Sequence, residues 1–241
     1  MGMDDRTEKA LGNDVMGQLR SLGFCIVGCG GTGANFAEML VRSGATRLTL
    51  IDGDMVKDTA LNRVFSFTLA DLGKPKVEVL KKHLDSIRPG CLEVCALKDS
   101  FRKPEEILED HPIGQQVRDA VHDADVVFVG TDTNTSRLAI EKLCREKDGG
   151  MLLSCGVRVD RKSGVFEFEC TWAPKTPIEH EDAHGYGPEN ASFASIILEA
   201  TSVAFTMLLS HLKCKNSDFR SYRKKYGANF QPVETIERVP C

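Results

Sequence analysis

The sequence predicts a doubly wound α/β domain whose sheet is mostly parallel, with antiparallel strands toward the C-terminal half. Apolar segments of strand length alternate with segments of helical periodicity along most of the chain, which is typical of α/β proteins. Residues 125–130 contain a continuous apolar run, as expected of a parallel strand covered on both faces. Residues 165–171 instead alternate between apolar and polar, which indicates an antiparallel strand.

The elements are expected in a regular order along the chain. Periodicity and turn residues predict a leading helix at 5–20, a strand at 24–27, a helix to about 42, a strand at 48–51, a helix at 74–87, a strand at 91–97, a partly helical connection at 102–123, a strand at 125–130, a helix to about 147, strands at 151–155 and 165–171, a long crossover loop at 172–190, and an apolar helix at 191–212. The basic tail after Lys213 is expected to be irregular. Because neither repeats nor low-complexity segments divide the chain, we predict a single domain over residues 1–241.

The composition restricts the class of protein. The chain has 241 residues, of which 41% are hydrophobic, and this is enough for a sizeable core. Its net charge of −4 argues against nucleic acid as the main partner, because phosphate contacts require a basic face. No apolar run reaches the length of a membrane span, and the first twenty residues do not resemble a signal peptide. We therefore expect a cytoplasmic protein that binds neither a membrane nor nucleic acid.

The cysteines do not predict a metal site. There are nine of them, and they form no C-x-x-C pair. Most lie in apolar runs, where a free thiol behaves as a small hydrophobic side chain. We therefore expect no structural zinc.

A glycine-rich turn follows the first strand and carries the strongest local signal. Gly28, Gly30 and Gly33 have the G-x-G-x-x-G spacing, with an apolar strand before them and a helix after them. Glycines let the backbone approach a phosphate closely, and the helix N-terminus then presents free N–H groups to it. Asp52, which lies 19 positions after Gly33, ends the second strand, where a carboxylate can accept a hydrogen bond from a ribose hydroxyl. The segment is therefore predicted to be a Rossmann-like nucleotide-binding βαβ unit, and it lacks the G-K-[ST] of a P-loop.

Several charged residues follow the predicted strands or lie upstream of them. Lysine and arginine hold phosphates, and carboxylates hold Mg²⁺, so a nucleotide triphosphate site requires both kinds of side chain. In parallel sheets, ligands bind at the carboxyl ends of the strands. The candidates for such a site are Asp52, Asp54, Arg63, Lys76 and Asp132, with Arg6 upstream.

With these motifs together, the sequence resembles the ThiF/MoeB family, the adenylating core of ubiquitin-activating enzymes. The family pattern combines G-x-G-G-x-G, R-x-G, D-x-D-x-V, L-x-R, G-x-x-K and T-D-x-x-x-x-R. In this sequence these motifs are found at residues 28–33, 42–44, 52–56, 61–63, 73–76 and 131–137. Gly17-Gln18 also resembles the leading-helix motif of the family, and this match places the N-terminal arginine of the family at Arg6.

The resemblance implies binding of ATP and Mg²⁺ and adenylation of a carboxylate, usually the C-terminal glycine of a ubiquitin-like or sulfur-carrier protein. Asp52 would bind the ribose and Asp132 the Mg²⁺, while Arg63 and Lys76 would stabilise charge on the phosphates. The remaining nucleotide contacts would come from the glycine turn and the second acid of the D-x-D motif, that is from Gly28, Gly30, Gly31, Gly33 and Asp54.

The resemblance also implies a homodimer in which Arg6 reaches the γ-phosphate bound by the other subunit. A second argument comes from the helix at 191–212, which is apolar nearly all round. One face can pack on the sheet, and the remaining apolar surface would require a partner such as a twofold-related copy. The alternative is a helix that is fully buried within one subunit.

The sequence departs from the family pattern at several positions. Ala60 and Val64 stand beside Arg63 where the family has an asparagine and a glutamine. The loss of these two polar side chains could weaken catalysis at the phosphates. The family's optional thioester cysteine has its nearest candidate in Cys170. His180 and His184 match the H-E-x-x-H protease motif, but prolines and glycines on both sides disfavour the helix that this motif requires. We interpret this segment as a loop that covers the site or grips a partner tail.

Other functions remain open at the level of sequence. The same fold could act on a small-molecule, peptide or RNA-borne carboxylate, the last as in cyclising dehydratases. Ala60 and Val64 would also suit a nucleotide-binding scaffold that has lost catalysis. The glycine motif alone would suit an NAD-dependent dehydrogenase, although hydride transfer requires no Mg²⁺-binding carboxylate such as Asp132.

Overall fold

An eight-stranded sheet is the centre of the fold in the computed structural model, which describes residues 2–99, 112–132, 134–146, 150–160, 165–172, 193–214, 221–227 and 231–238. The helices are α1 (Asp5–Leu11), α2 (Asn13–Ser21), α3 (Gly31–Arg42), α4 (Lys76–Ile87), α5 (Pro112–Asp123), α6 (Asn134–Glu146) and α7 (Ala194–Lys213). The strands are β1 (Gly23–Val27), β2 (Arg47–Ile51), β3 (Glu93–Leu97), β4 (Val126–Val129), β5 (Met151–Asp160), β6 (Val165–Trp172), β7 (Ser221–Tyr226) and β8 (Pro232–Arg238).

The strands lie in the order β3-β2-β1-β4-β5-β6-β7-β8. The first five strands in the chain pair in parallel. From β5 onward each neighbouring pair is antiparallel. The predicted fold class, a doubly wound and mostly parallel sheet that becomes antiparallel toward the C-terminal half, is confirmed.

The strand order reverses direction between β1 and β4. From β1 the chain moves outward to β2 and β3, and it then returns to the other side of β1 to form β4. Backbone bonds hold the carboxyl ends of these strands together, because Gly28 N–H donates to the Ile51 carbonyl and Gly130 N–H to that of Val27, each at 2.8 Å. The crevice outside such a switch point is where ligands bind in open α/β sheets.

The sheet is covered on both faces. Phe24 and Ile26 of β1 belong to a cluster formed with helices α2, α3, α4 and α7, whereas Cys25 and Val27 face α5 and α6. In the larger cluster the rings of Phe36 and Phe128 stack with centroids 4.1 Å apart. Since successive residues of a strand point to opposite faces, burial of all five β1 residues explains its unbroken apolar sequence.

Helix α7 is a core helix of this single chain. Among the described residues it is the one helix long and apolar enough for a membrane span by length and composition, but it packs on α3, β5 and β6. Its exposed positions are polar, and its remaining apolar side chains are buried or half-buried. The apolar side chains of this helix pack largely within the chain, and a contact with a second subunit stays a prediction. The exposed positions are Ser195, Ser202, Thr206, Ser210 and Lys213.

Two further expectations are corrected. The leading helix at 5–20 is two helices, because Gly12 adopts a φ of 86° between them. The tail is not irregular, since it contains β7 and β8. The S-Y-R-K-K-Y sequence of β7 has no apolar pattern, and its pairing depends instead on cross-strand ion pairs such as those of Arg223 with Glu167 at 3.2 Å and Glu169 at 3.0 Å.

The other predicted elements are found within a few residues of their expected positions, and β5 continues beyond 155 to Asp160. The crossover predicted at 172–190 lies outside the described residues except for Trp172, which ends β6. His180 and His184 lie outside them as well.

Candidate functional site

The glycine turn between β1 and α3 forms the floor of the site. Gly28 has a φ of 89°, and a Cβ built on it would lie 2.9 Å from the backbone of Gly130, so no side chain fits there. Gly30 precedes the first residue of α3, Gly31, and provides no side-chain cap. The first N–H groups of a helix lack intrahelical partners. A Cβ on Gly30 would meet nothing within 4 Å, so the turn offers backbone donors and, at Gly30, open space to an anion.

Asp52 fastens this turn to the end of β2. Its two carboxylate oxygens accept backbone N–H groups from Cys29 at 2.7 Å and from Asp54 at 2.8 Å. Burial raises the pKa of Asp52, although Lys76 and these backbone donors act in the opposite direction. The residue predicted to bind ribose thus also holds the glycine turn in place.

Lys76 lies between the two acids of the D-x-D motif. Its ammonium is 2.8 Å from the Asp54 carboxylate and 3.6 Å from that of Asp52, and its side chain is only 13% exposed. Burial alone lowers the pKa of Lys76, but Asp52 and Asp54 outweigh it and raise the pKa overall. The ammonium therefore stays charged, which is the form that binds a phosphate.

Arg63 lies across the start of α3. A Cβ on Gly31 would lie 3.3 Å from the Arg63 side chain. Its guanidinium donates to the carbonyl of Thr59 and, at 3.0 Å, to the side-chain oxygen of Asn62. Burial lowers the pKa of Arg63, while the charge of Asp132 raises it. The structure thus brings Arg63 together with the glycine turn and with Asp132, and the catalytic role of these residues stays a prediction.

Asn35 is a site-supporting residue that our reading of the sequence missed. Its amide donates to the Arg63 carbonyl at 2.9 Å and accepts the Phe65 N–H at 3.4 Å, and only 4% of the residue is exposed. It therefore fixes the Arg63 loop to α3. The sequence feature that could have revealed Asn35 is its position between Ala34 and Phe36, because a polar residue among apolar neighbours on a helix is often buried and hydrogen-bonded.

The loop after β4 is held by Arg137, and this accounts for the last residue of the T-D-x-x-x-x-R motif. The buried Arg137 guanidinium donates to the Thr131 carbonyl at 2.7 and 3.0 Å and to the Ser154 hydroxyl at 2.6 Å. Asp132 remains exposed at the end of this loop. The Thr131 hydroxyl oxygen is buried and has no hydrogen-bond partner in the described part of the chain.

Arg6 is not part of this cluster within one chain. It lies on α1, its side chain is exposed, and it makes no hydrogen bond or ion pair with the residues that the structure describes. Its role at a second subunit's site stays a prediction.

The two departures from the family pattern are core residues here. Ala60 is 7% exposed and Val64 is 2% exposed, and the Ala60 carbonyl accepts the Val64 N–H at 3.0 Å. Their side chains belong to the apolar cluster beneath the Arg63 loop. An apolar residue at these two positions therefore supports the loop by packing.

Cys170 has the environment of a core cysteine. It is fully buried on β6, with its sulfur 3.4 Å from that of Cys155 and 3.2 Å from the Ala200 carbonyl. Burial raises the pKa of the Cys170 thiol well above its usual value. Because the thiolate is the nucleophile, this environment opposes thioester formation at Cys170.

The described residues fit a nucleotide triphosphate. A Cβ at Gly30 would meet nothing within 4 Å, so the turn leaves open space before α3, and the nearby Thr131 hydroxyl lacks a partner in the described part of the chain. No group of three metal-binding side chains occurs among the described residues, but Mg²⁺ at phosphates needs only one or two carboxylates. Asp132 is the carboxylate suited to this, and the expected absence of zinc stays a prediction.

These features define a class of protein: a nucleotide-binding α/β enzyme whose glycine turn lacks the P-loop motif. The chain belongs to the ThiF family, whose pattern matches residues 5–214. The resemblance stated from the motifs is thereby confirmed.

Individual relatives are more informative about the substrate. The chain is 34% identical over 151 residues to the tRNA threonylcarbamoyladenosine dehydratase of Bacillus subtilis (strain 168), which covers 63% of this chain and 55% of that protein. It is 32% identical over 119 residues to the sulfur carrier protein ThiS adenylyltransferase of Escherichia coli (strain K12), which covers 49% of this chain and 43% of that protein. The chain thus spans about half the length of these relatives.

Solved structures agree with the fold. The E. coli MccB structure with ATP has a TM-score of 0.67 at 19% identity, covering 94% of this chain and 66% of that chain. The E. coli tRNA N6-threonylcarbamoyladenosine dehydratase TcdA has a TM-score of 0.56 at 25% identity, covering 68% of this chain and 64% of that chain. At 19% identity the first match supports the fold alone.

Proposed function

We propose that this chain uses ATP and Mg²⁺ to adenylate a carboxylate carried on RNA, that of N6-threonylcarbamoyladenosine or a close analogue. The observation that carries the proposal is the convergence of the glycine turn, Lys76, Arg63 and Asp132 at one edge of the sheet. The relative in B. subtilis, a dehydratase of this modified nucleoside, supplies the substrate class.

The site residues account for the activation step. Backbone N–H groups of the glycine turn bind the phosphates, and Lys76 and Arg63 stabilise the negative charge that develops on them. The substrate carboxylate oxygen attacks the α-phosphorus, the bond to the β-phosphate oxygen breaks, and pyrophosphate leaves. Asp132 would hold Mg²⁺, which neutralises phosphate charge when bound.

The second step explains how activation becomes a dehydration. The carbamoyl group of the same substrate attacks the activated acyl carbon, a ring closes, AMP leaves and the carbamoyl nitrogen loses a proton. The net change in the substrate is loss of water. No enzyme nucleophile is required, which agrees with the buried position of Cys170.

An RNA-borne carboxylate was one of the alternatives left open by the sequence, and it replaces the protein substrate that the sequence favoured. The sequence favoured a ubiquitin-like or sulfur-carrier protein and no nucleic acid, whereas the B. subtilis and TcdA relatives favour an RNA-borne carboxylate. A net charge of −4 does not oppose RNA binding by itself, because phosphate contacts depend on a local basic face.

The test is ATP–pyrophosphate exchange with different carboxylates. We expect labelled pyrophosphate to enter ATP in the presence of a short synthetic RNA carrying N6-threonylcarbamoyladenosine, and not with the unmodified RNA. The Asp132→Ala variant should lose at least about a hundredfold in rate, because metal coordination supplies several kcal/mol of the barrier. The Asp14→Ala variant, altered at an exposed acid on α2, is the matched control and should retain the wild-type rate.

Other outcomes identify the competing functions. Exchange with a small protein ending in glycine, but not with the modified RNA, would establish the first interpretation instead. A ligand at a hundredfold over its dissociation constant should raise the free energy of unfolding by about 2.7 kcal/mol. A larger thermal stabilisation by NAD than by MgATP would therefore identify NAD as the bound nucleotide and contradict adenylation. Binding of MgATP without exchange for any carboxylate would indicate a scaffold.

A further inference from the structure

A pocket of about 170 Å³ opens at the first turn of α7, outside the phosphate-binding residues described above. Two phenylalanine rings form part of its wall, with the Phe166 and Phe193 centroids 5.2 Å apart in an edge-to-face arrangement. The lining residues are Phe166, Phe193, Ser195, Ile196, Glu199 and Tyr226.

The pocket lies on the same edge of the sheet as the nucleotide site. Val129 at the end of β4 pairs with Ser154, and β5 then continues past this edge to Val159, which pairs with Phe166. The pocket therefore lies beyond the carboxyl ends of the parallel strands, where ligands bind in such sheets.

Helix α7 connects the pocket to the phosphate cradle. Phe193, in the pocket wall, accepts the N–H of Ile197 through its carbonyl at 3.3 Å. The Ile197 side chain would lie 3.3 Å from a Cβ on Gly31, as would that of Arg63. Phe193 in the pocket wall and Ile197, which contacts the start of α3, are thus one helical turn apart, about 5.4 Å along the axis.

The charges at the pocket are paired with one another. The Glu199 carboxylate is 2.5 Å from the Lys224 ammonium and accepts a hydrogen bond from the Tyr226 hydroxyl. The hydrogen bond to Glu199 raises the pKa of Lys224, so the ammonium stays charged, while burial raises the pKa of Tyr226, whose hydroxyl stays neutral. A neutral, flat and apolar ligand suits such a pocket better than a phosphate does.

We propose that this pocket receives the adenine ring of the RNA nucleotide whose carboxylate is activated, an inference that rests on the proposed function. In N6-threonylcarbamoyladenosine, four bonds separate N6 from the carboxyl carbon, a reach of roughly 5 Å at standard bond lengths. A base held at Phe193 would therefore extend its carboxylate along α7 toward Ile197 and the start of α3. Enzymes that act on a base draw it out of the stack into such pockets, where it stacks on aromatic side chains.

The test separates aromatic stacking from simple packing. The Phe193→Leu variant keeps apolar bulk but loses the ring, and we expect the KM for the modified RNA to rise about tenfold, in line with the measured worth of base stacking. The Phe193→Trp variant restores a ring, so its KM should stay near the wild-type value, and its fluorescence should be quenched when the modified RNA binds. The dissociation constant for MgATP should be unchanged in both. Leu138→Ala, at a half-exposed apolar position on α6, is the control.

The outcomes distinguish the two proposals. If the wild-type protein exchanges pyrophosphate with the modified RNA but Phe193→Leu leaves the KM unchanged, the pocket does not hold the base. If Phe193→Trp and Phe193→Leu raise the KM equally, the ring is not used for stacking. If the wild-type protein shows no exchange with the modified RNA, the proposed function itself has failed.

Discussion

At the scale of single residues, Gly33 shows how closely the phosphate turn is packed. A Cβ built on this glycine would lie 1.8 Å from the Gly28 carbonyl oxygen, which is backbone and cannot move aside. The G-x-G-x-x-G spacing is thus required by the packing of α3 against its own turn, in addition to any ligand contact.

Gly33→Ala should lower the free energy of unfolding by about 1–3 kcal/mol, because relief of the overlap requires the helix to shift from β1. Chemical denaturation would measure the change. Gly30→Ala is the matched control, since a Cβ there would meet nothing within 4 Å. Equal stability of the two variants would show that the turn is more plastic than its geometry implies.

Asn35 provides a second prediction at this scale, because it positions Arg63 without contacting substrate. Asn35→Ala should lower kcat for pyrophosphate exchange by roughly tenfold to a hundredfold, since a displacement of about 1 Å at a phosphate-binding group has effects of this size. KM for ATP should change less, because the glycine turn is untouched.

Gln18→Ala is the control for Asn35. Gln18 also donates from its side chain to a distant backbone carbonyl, that of Leu212 at 3.0 Å, but it does so on α2. Loss of activity in both variants to the same extent would mean that Asn35 acts through general stability and not through Arg63.

At the scale of elements, α1 is held mainly by charge, and only its Leu11 packs, half-buried, against the apolar core. None of its residues is buried. Asp4, which precedes the helix, pairs with the Arg88 guanidinium and, at 3.4 Å, with that of Arg20. Arg88 is itself fixed by a bond to the Val41 carbonyl at 2.7 Å. Since α1 carries Arg6, this ion pair sets where that arginine is presented.

Asp4→Asn should speed amide hydrogen exchange in residues 5–11 about fivefold at pH 7. This corresponds to a decrease of roughly 1 kcal/mol in the free energy of opening α1, the expected contribution of a partly buried ion pair. The hydrogen bond from Arg88 lowers the pKa of Asp4. A carboxylate with a lowered pKa stabilises the fold above its unfolded pKa and loses this effect as the pH falls through the folded pKa. The difference between variant and wild type should therefore fade below about pH 4.

Asp14→Asn is the control for this pH dependence, because Asp14 is exposed in the first turn of α2. Exchange rates in α1 that do not respond to Asp4→Asn at pH 7 would show that other contacts hold the helix.

At the scale of the whole molecule, the question is whether a second copy completes the site. Three of the exposed large apolar side chains, Phe65, Leu69 and Leu72, follow Arg63 in the chain and are 57%, 75% and 43% exposed. A twofold contact there would cover these apolar side chains beside the Arg63 loop. The homodimer proposed from the family resemblance thus has a candidate surface other than α7.

Mixing two inactive variants tests this arrangement. Arg6→Ala combined with Asp132→Ala should recover up to about a quarter of wild-type exchange, because random pairing makes half of the dimers mixed and each mixed dimer holds one intact site. Asp132→Ala combined with Lys76→Met is the control and should recover nothing, since both residues belong to the same chain's site. A monomer in solution, or no recovery despite demonstrated subunit exchange, would refute completion in trans.

Most of the fold and much of the site could be predicted from sequence because the signals are local. The glycine spacing, the apolar strands and the acids at strand ends lie within one βαβ unit, so their positions follow from neighbours in the chain. Arg63, Lys76 and Asp132 were placed at one edge because parallel strands end there together. Strand β7 was missed because it has no apolar pattern and its partners Glu167 and Glu169 on β6 are far away in sequence, and β8 was missed with it because it pairs with β7.

The sequence by itself determined the fold class, the nucleotide-binding turn and the set of charged residues around it, since these follow from periodicity and residue type. Only the tertiary structure decided how those residues are held: Lys76 between Asp52 and Asp54, Arg63 on Asn35, and the β4 loop on Arg137. It also decided that α7 packs on α3, β5 and β6 and that an aromatic pocket opens at its first turn. Each of these depends on contacts between distant segments, which residue patterns along the chain do not encode.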